Sequence, residues 1–266
     1  MELSELKKKK LFLFDMDGTL YLGSRLYDFT VQLLDTIRNH GGRYLFMTNN
    51  SSKSVKDYID RLRKMGIQAS EEDFLTSSQA TAYYLSQNHK GQVLYVCGTK
   101  SLKNELAKAG FAITEDIDKT QCIVMGFDTE LTFRKLEDVS KMLCSKDLPY
   151  IATNPDYVCP TEFGSVPDCG SVSDMLHNVS KKRPLFIGKP SPLMPQLAME
   201  KCGVSPQETV VIGDRIYTDI KSGLNAGATT ILVMSGETTH EILEASEDKP
   251  HFVMADAGEL IPILNS

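Results

Sequence analysis

The sequence lacks several features that would place it in particular classes of protein. No apolar run approaches the ~20 residues that a membrane-spanning helix requires. The apolar stretch 11–14 near the N-terminus is too short for the apolar core of a signal peptide and is followed by an acidic residue. The glycine-rich motifs GxGxxG and GxxxxGK followed by Ser or Thr are missing, which weighs against dinucleotide and P-loop nucleotide sites. These absences predict a cytoplasmic protein without a membrane partner.

An excess of positive charge is also lacking. The chain has 35 acidic and 29 basic residues, a formal net charge of -6, so composition gives no reason to expect nucleic acid as a partner. The six cysteines are scattered and include no CxxC pair, which predicts reduced structural thiols rather than a zinc site or a catalytic thiol. The 41% hydrophobic content is typical of a globular chain that buries a core, and 266 residues suit one or two domains.

Residues 11–20, LFLFDMDGTL, are the most informative stretch of the sequence. The apolar run ends in Asp15, as expected for a buried parallel strand that stops at a polar site. Asp15 and Asp17 are two residues apart, so an extended chain places their side chains on one face. Gly18 lets the chain turn sharply and leaves backbone N–H groups to face an anion. This combination suits a magnesium ion with a bound phosphate.

Three further predicted strands also end in polar side chains, which are Thr48 after RYLFM, Lys189 after LFIG, and Asp214 with the nearby Asp219 after TVVIG. Because the carboxyl ends of parallel strands lie at one edge of a sheet, these groups can converge although they are far apart in sequence. Each has an ordinary structural interpretation as a turn, a helix cap or a solvated cation. Together, those interpretations require four coincidences.

The alternation of strands and helices predicts an α/β fold with a parallel sheet covered on both faces. From about residue 79 to 182 the pattern restarts as a β-α-β-α-β series that can form a small domain of its own. We therefore predict a core split in sequence, residues 1–78 and 183–266, with a second domain over 79–182. That domain ends in a loop rich in turn residues, 154–171.

These segments resemble the four motifs of the haloacid dehalogenase superfamily. The closer resemblance is to its NagD-like, p-nitrophenylphosphatase-like branch, subfamily IIA, in which YLFMTNNSS, IATNPD, IGKPSP and VVIGDRIYTDI have close counterparts. The resemblance implies a Rossmann-like parallel-sheet core with an inserted α/β cap domain of the C2 type. It also implies a Mg²⁺-dependent phosphatase that hydrolyses small phosphomonoesters through an aspartyl-phosphate intermediate.

Two alternatives remain open at this point. A phosphotransferase or phosphomutase can use the same core, and a phospho-accepting signalling module also places an aspartate, neighbouring acids, a threonine and a lysine around Mg²⁺. Signalling receivers are about half as long and do not carry the phosphoacceptor in a DxD motif on the first strand, which makes that alternative the weaker one. The expected partner is a small-molecule phosphate ester, and a homo-oligomer is left open.

The resemblance also implies roles for individual residues. Asp15 is expected to be the nucleophile and a Mg²⁺ ligand, and Asp17 the general acid and base, with its backbone carbonyl on the metal. Asp214 is the third expected metal ligand, and Asp219 is expected to support the site from behind. The phosphoryl oxygens are expected to be held by Thr48 and Lys189, helped by the backbone N–H groups of Asp17 and Asn49.

The cap loop departs from the pattern of this branch, where a proline commonly precedes a glycine-rich turn. Here Pro167 is followed by Asp168, which adds a charge. Asn154 and Asp156 are placed to hydrogen-bond a polar leaving group, although ordinary turn chemistry explains them as well. The hypothesis is that Asp168 and its neighbours disfavour strongly anionic leaving groups and favour neutral or cationic ones.

Overall fold

A computed structural model describes residues 2–161 and 163–266, and these residues form two compact units that alternate along the sequence. The first, called the core unit here, comprises the residues up to Thr48, then Tyr58–Leu75 and Lys189–Ser266. The second, called the cap unit, comprises Asn49–Asp57 and Thr76–Gly188.

The described residues contain fourteen strands, which are β1 (Leu11–Phe14), β2 (Tyr21–Leu22), β3 (Arg25–Leu26), β4 (Arg43–Thr48), β5 (Phe74–Thr76), β6 (Leu94–Cys97), β7 (Cys122–Met125), β8 (Tyr150–Ala152), β9 (Val158–Thr161), β10 (Gly164–Pro167), β11 (Leu185–Phe186), β12 (Thr209–Gly213), β13 (Thr229–Val233) and β14 (Phe252–Met254). They also contain ten α-helices, which are α1 (Thr30–Asn39), α2 (Val55–Lys64), α3 (Ser77–Asn88), α4 (Lys100–Lys108), α5 (Phe133–Ser145), α6 (Cys169–Ser180), α7 (Leu193–Cys202), α8 (Lys221–Asn225), α9 (His240–Ala245) and α10 (Leu260–Asn265). Within the described part of the chain, no helix has the length and apolar character needed to cross a membrane.

The core unit is built on a six-stranded sheet in the order β14-β13-β12-β1-β4-β5. Strand β1 lies at its centre and pairs in parallel with β12 and β4, with Phe14 opposite Ile212 and Phe46. All four residues of β1 are buried, since a central parallel strand is covered on both faces, and this explains its continuous apolar run. The register brings the carboxyl ends of β1, β4 and β12 to one edge of the sheet, as the sequence predicts.

The cap unit contains a four-stranded parallel sheet in the order β11-β8-β7-β6 and a separate antiparallel hairpin of β9 and β10. Helices α5 and α6 contact each other, and their apolar faces pack with the sheet around buried residues that include Tyr95, Ile123 and Leu143. The predicted second α/β domain therefore has its own sheet and its own hydrophobic core.

The boundaries of the units differ from the predicted ones in three places, the smallest of which is that the longer part of the cap unit begins at Thr76 rather than at residue 79. The sequence predicts that the core resumes at residue 183, but β11 pairs in parallel with β8, so the chain re-enters the core unit only at Lys189. A two-residue strand carries too little pattern to show which sheet it joins. In addition, Asn49–Asp57 belongs to the cap unit, although it follows directly on β4 of the core.

The stretch 154–171 also differs from its prediction as a loop. It contains the β9–β10 hairpin, and α6 begins within it at Cys169. The hairpin strands are largely exposed and each contains a proline, Pro160 and Pro167. They therefore lack the alternation of apolar and polar residues by which a strand is recognised in a sequence.

Candidate active site

Three carboxylates meet at the carboxyl edge of the core sheet. Asp15 follows β1, and its backbone N–H donates to Ile212 O at 2.8 Å, which extends the β1–β12 ladder by one residue. Asp214 follows β12, and Asp219 lies on a short π-helical turn, Ile216–Ile220. Ligand oxygens of the three aspartates come within 4.8 Å of one another. The residues that the sequence predicts at two separate strand ends thus converge.

Lys189 joins two of these carboxylates. Its Nζ donates to Asp15 Oδ1 at 2.6 Å and to Asp219 Oδ1 at 2.5 Å, and the side chain is only 2% exposed. Burial lowers the pKa of Lys189, but the two carboxylates outweigh burial, so the net pKa lies above its ordinary value. Lys189 therefore stays charged at the centre of the cluster.

Asp219 has both oxygens engaged within the protein. Oδ1 accepts from Lys189, and Oδ2 accepts from the backbone N–H of Arg215 at 3.1 Å. A side chain at Gly213 would overlap the Asp219 carboxyl, so the glycine leaves the room in which Asp219 sits. With both oxygens occupied, Asp219 is suited to orient Lys189.

Asp214 has one oxygen engaged and one open. Its Oδ2 accepts from the backbone N–H of Glu237 at 2.7 Å, whereas Oδ1 is buried and receives no hydrogen bond from any described residue. Burial raises the pKa of Asp214 to about 6, and the neighbouring Asp219 carboxylate adds to the effect. A buried acceptor without a partner is unfavourable unless something else binds it.

Charge and donor type together indicate what the cluster binds. Burial raises the pKa of Asp15 well above its ordinary value; Lys189 opposes this, and the carboxylates of Asp219 and Asp214 add to it. One lysine cannot neutralise three carboxylates. A hard divalent cation with oxygen ligands would remove the imbalance and would occupy the open oxygen of Asp214. Asp15 and Asp214 therefore fit a magnesium ion.

Asp17 lies outside this cluster. Its side chain is 54% exposed, and its Oδ2 is 3.7 Å from Nη1 of Arg61 on α2. The Arg61 guanidinium also lies over the Tyr21 ring at 4.6 Å and donates to Gly23 O. The Asp17 side chain is thus separate from the carboxylates that fit a metal, as a proton-transferring group requires. The sequence gives no signal for Arg61, which stands among other charged residues of α2.

The predicted phosphate-binding residues occupy both units. Thr48 is the last residue of β4 and is buried in the core unit, rather than the first residue beyond the strand as predicted. Asn49 begins the cap unit, where its carbonyl accepts from the Ser77 hydroxyl at 2.6 Å. Gly188 approaches the Asn49 side chain so closely that a Cβ there would lie 2.5 Å from Oδ1. These contacts fix the backbone at Asn49.

The three cap residues predicted to select the substrate form a buried network. Asn154 Nδ2 donates to Asp156 Oδ2 at 3.0 Å and to Asp168 Oδ1 at 3.1 Å. Asp168 is also the N-cap of α6, since its Oδ1 accepts from Cys169 N. All three side chains are buried, Asp168 with 4% exposed. The structure therefore brings them together, but inside the cap unit, where each carboxylate has a structural partner.

Two residues at this edge are not predicted from the sequence. Gly236 lies so close to Asp214 that any side chain there would overlap the carboxyl, and Glu237 supplies the backbone N–H that Asp214 accepts. In the sequence they belong to SGET after β13, which indicates only an ordinary turn.

Comparison with known proteins identifies relatives of this chain among the hydrolases. A profile of haloacid dehalogenase-like hydrolases matches residues 12–112, and a HAD-hydrolase-like profile matches 186–260. An acid sugar phosphatase of Staphylococcus haemolyticus (strain JCSC1435) is 34% identical over 251 residues, which cover 94% of this chain and 95% of the relative.

Solved structures agree with this result. The 4-nitrophenylphosphatase of Thermotoga maritima superposes with a TM-score of 0.93 at 38% identity, covering 98% of this chain and 99% of its own. A glycerol phosphate phosphatase of Mycobacterium tuberculosis, solved in complex with magnesium, gives a TM-score of 0.89 at 27% identity, covering 97% of this chain and 78% of its own. The chain belongs to the haloacid dehalogenase superfamily of hydrolases, in its NagD-like, p-nitrophenylphosphatase-like branch, subfamily IIA.

Proposed function

We propose that this protein is a Mg²⁺-dependent phosphatase that hydrolyses small phosphomonoesters through an aspartyl-phosphate on Asp15. The enzyme class, a phosphoric monoester hydrolase, follows from the family and from its phosphatase relatives. The observation that carries the finer proposal is the cluster of Asp15, Asp214 and Asp219 around one buried lysine. Such a cluster has the charge to hold a cation and the geometry to present a nucleophile.

The metal is proposed to lie against Asp15, Asp214 and the backbone carbonyl of Asp17. The open Oδ1 of Asp214 supports this assignment, as does the magnesium in the mycobacterial relative. When bound, Mg²⁺ would withdraw charge from the phosphoryl oxygens and reduce the repulsion between the ester dianion and Asp15. Lys189 adds a fixed positive charge beside the same aspartate.

The residues of this chain account for both halves of the reaction. An oxygen of Asp15 attacks phosphorus, the bond from phosphorus to the leaving oxygen breaks, and Asp17 gives that oxygen its proton. Asp17 then takes a proton from a water molecule whose oxygen attacks the same phosphorus. The bond between phosphorus and Asp15 breaks, and inorganic phosphate leaves. Thr48 and Lys189 are proposed to hold the phosphoryl oxygens, together with the backbone N–H of Asn49.

The proposed substrates are small phosphate esters. All the proposed chemical groups recognise a phosphoryl group and a metal, so none of them selects a leaving group. The acid sugar phosphatase and the glycerol phosphate phosphatase among the relatives suggest polyol and sugar phosphates as the class to try first.

The test is phosphate release by the purified full chain from p-nitrophenyl phosphate, glycerol phosphate and several sugar phosphates. We expect turnover with Mg²⁺, none after removal of metal by EDTA, and recovery when Mg²⁺ is added back. Full activity in metal-free buffer would refute the metal assignment. A second assay includes an alcohol as phosphoryl acceptor: a new phosphate ester in place of free phosphate would favour the phosphotransferase alternative.

A further inference from the structure

The loop Ser235–Thr238, called the clamp loop here, directly follows β13 and the residue Met234 and contacts the two strand ends at the centre of the core sheet. Glu237 N donates to Asp214 Oδ2 at 2.7 Å, and Thr238 N donates to Asp214 O at 3.2 Å. Ser235 Oγ donates to Gly18 O at 2.7 Å. The loop therefore ties the turn after Asp15 to the backbone and the carboxylate of Asp214.

The fit of Gly236 against Asp214 is unusually close. A Cβ on Gly236 would overlap the carboxyl of Asp214, and its distances from three carboxyl-side atoms are far below any that real side chains show. Gly18 lies against the same oxygen, since a Cβ there would lie 2.5 Å from Asp214 Oδ2. Two glycines and one backbone N–H thus enclose the carboxyl group, which leaves Oδ1 as the oxygen without a hydrogen bond from the described residues.

The side chain of Glu237 anchors the clamp loop to the segment that follows Asp214. Its Oε2 lies 2.7 Å from Arg215 Nε, and its Oε1 accepts from the Tyr217 hydroxyl at 2.7 Å. A further hydrogen bond runs from Ile216 N to the Thr238 hydroxyl. The segment so anchored is the turn that carries Asp219, so one loop holds two of the three carboxylates in place.

We propose that the clamp loop is the positioning element of the metal site, and that Gly236 and Glu237 set the affinity for the cation by fixing Asp214 with Oδ1 directed to it. The inference rests on the proposed metal-dependent function. The physical reason is preorganisation: a carboxylate already held in its ligating orientation loses less conformational freedom when the cation binds. Neither residue touches substrate, so they are positioning residues.

The experiment measures Mg²⁺ affinity directly, by isothermal titration calorimetry on the full-length protein without substrate. For Gly236→Ala we expect affinity to fall roughly 10- to 100-fold, the range found when groups that orient metal ligands are lost. Glu237→Ala keeps its backbone N–H but loses both side-chain anchors, and we expect a smaller loss of about 3- to 10-fold. Glu237→Gln retains the shape and the Tyr217 contact, and should recover part of that loss.

A matched control separates positioning from general destabilisation. Gly258→Ala also forces a Cβ into crowded space, 2.8 Å from Asp256 Oδ1 and Phe29 Cβ, but does not touch Asp214. It should lower the melting temperature and leave Mg²⁺ affinity unchanged. If Gly236→Ala does not fold, Glu237→Ala and Glu237→Gln decide the question.

The outcomes also separate this inference from the proposed function. Wild type that binds no Mg²⁺ at millimolar concentration would contradict the proposed metal site itself. Wild type that binds Mg²⁺, with Glu237→Ala and any folded Gly236→Ala binding equally well, would overturn the positioning role alone. A loss of affinity in Gly258→Ala as large as in Gly236→Ala would show that the effect is only destabilisation, and would overturn it too.

Discussion

The core unit and the cap unit each contain a group of largely buried aspartates, yet the two groups differ in what surrounds them. In the core unit, Asp15, Asp214 and Asp219 share one lysine, and Asp214 keeps an open oxygen. In the cap unit, Asp156 and Asp168 share the amide of Asn154, and Asp168 also caps α6.

This difference shows why burial of a carboxylate is not by itself a functional signal. The cap aspartates have hydrogen-bond donors supplied by the fold, which stabilise a loop, a hairpin and the start of a helix. The core aspartates bring three carboxylates within 4.8 Å of one another, the one such group found among the described residues, and this arrangement favours binding of a cation. The following predictions test this contrast, in order of decreasing effect.

The largest effect is expected from Asp15→Asn. The amide is nearly isosteric but cannot attack phosphorus, so turnover should fall at least ~1,000-fold while the fold is retained. The measurement is phosphate release, with circular dichroism to verify folding. Asp168→Asn makes the same change at an aspartate of the cap unit and is the matched control. This variant should still release phosphate, and the release should still require Mg²⁺. Substantial phosphate release by folded Asp15→Asn would rule out covalent catalysis at this residue.

Lys189→Met should destabilise the core unit, because it leaves the half-buried Asp15 and the buried Asp219 without their common cation. We expect a loss of about 3–5 kcal/mol in the free energy of unfolding in EDTA, with partial recovery when Mg²⁺ binds the folded state. Lys135→Met is the matched control, since Lys135 pairs with the buried Asp128 in the cap unit at 2.7 Å.

Urea denaturation with and without Mg²⁺ measures both variants. The control should be destabilised without any recovery in Mg²⁺, since no cluster of three carboxylates surrounds that pair within the described residues. Equal responses of the two variants to Mg²⁺ would mean that the core cluster is an ordinary ion pair.

Asp168→Ala should act mainly on stability. It removes the N-cap of α6 and one acceptor of Asn154, so we expect a loss of roughly 1–3 kcal/mol in the free energy of unfolding, with Mg²⁺ affinity unchanged. The same variant tests the specificity hypothesis through a matched pair of phosphate esters, one with an extra carboxylate. A changed ratio of kcat/KM between the two esters would support a role of Asp168 in substrate choice. An unchanged ratio would show that Asp168 has no such role.

The smallest effect concerns pH in the absence of metal. The pKa of Asp214 in the folded protein, about 6, is raised by burial above its ordinary value of 3.8. Between these values the folded state binds more protons than the unfolded state, so stability decreases as pH rises through this window. In EDTA the protein should therefore be more stable at pH 5 than at pH 7, by roughly 1–2 kcal/mol from this group.

Chemical denaturation at the two pH values measures this difference, and Asp214→Asn supplies the control. The variant should lose the part of the pH dependence that Asp214 contributes, because its amide does not titrate. If the variant and wild type show the same difference between pH 5 and pH 7, other groups are responsible.

Much of the core site is readable from the sequence, for a simple reason. A buried parallel strand is a run of apolar residues, so the position where polar residues begin marks the strand end and the edge at which ligands bind. Asp15, Thr48 and Asp214 stand at such positions. In the structure, Asp15 directly follows β1, Thr48 is the last residue of β4, and Asp214 directly follows β12. The cap residues have no comparable marker, since turn residues look alike whether they are buried or exposed.

The sequence by itself determined the α/β alternation, the inserted second unit, and the strand ends of the core sheet that carry Asp15 and Asp214. Only the tertiary structure decided that β11 joins the cap sheet, that the cap aspartates are buried, and that Gly236 and Glu237 enclose Asp214. The physical reason is the range of the interactions. Periodicity reports how one segment is buried, whereas the choice of a sheet partner, the orientation of a carboxyl group and the approach of a loop 22 to 23 residues away depend on contacts that no single segment contains.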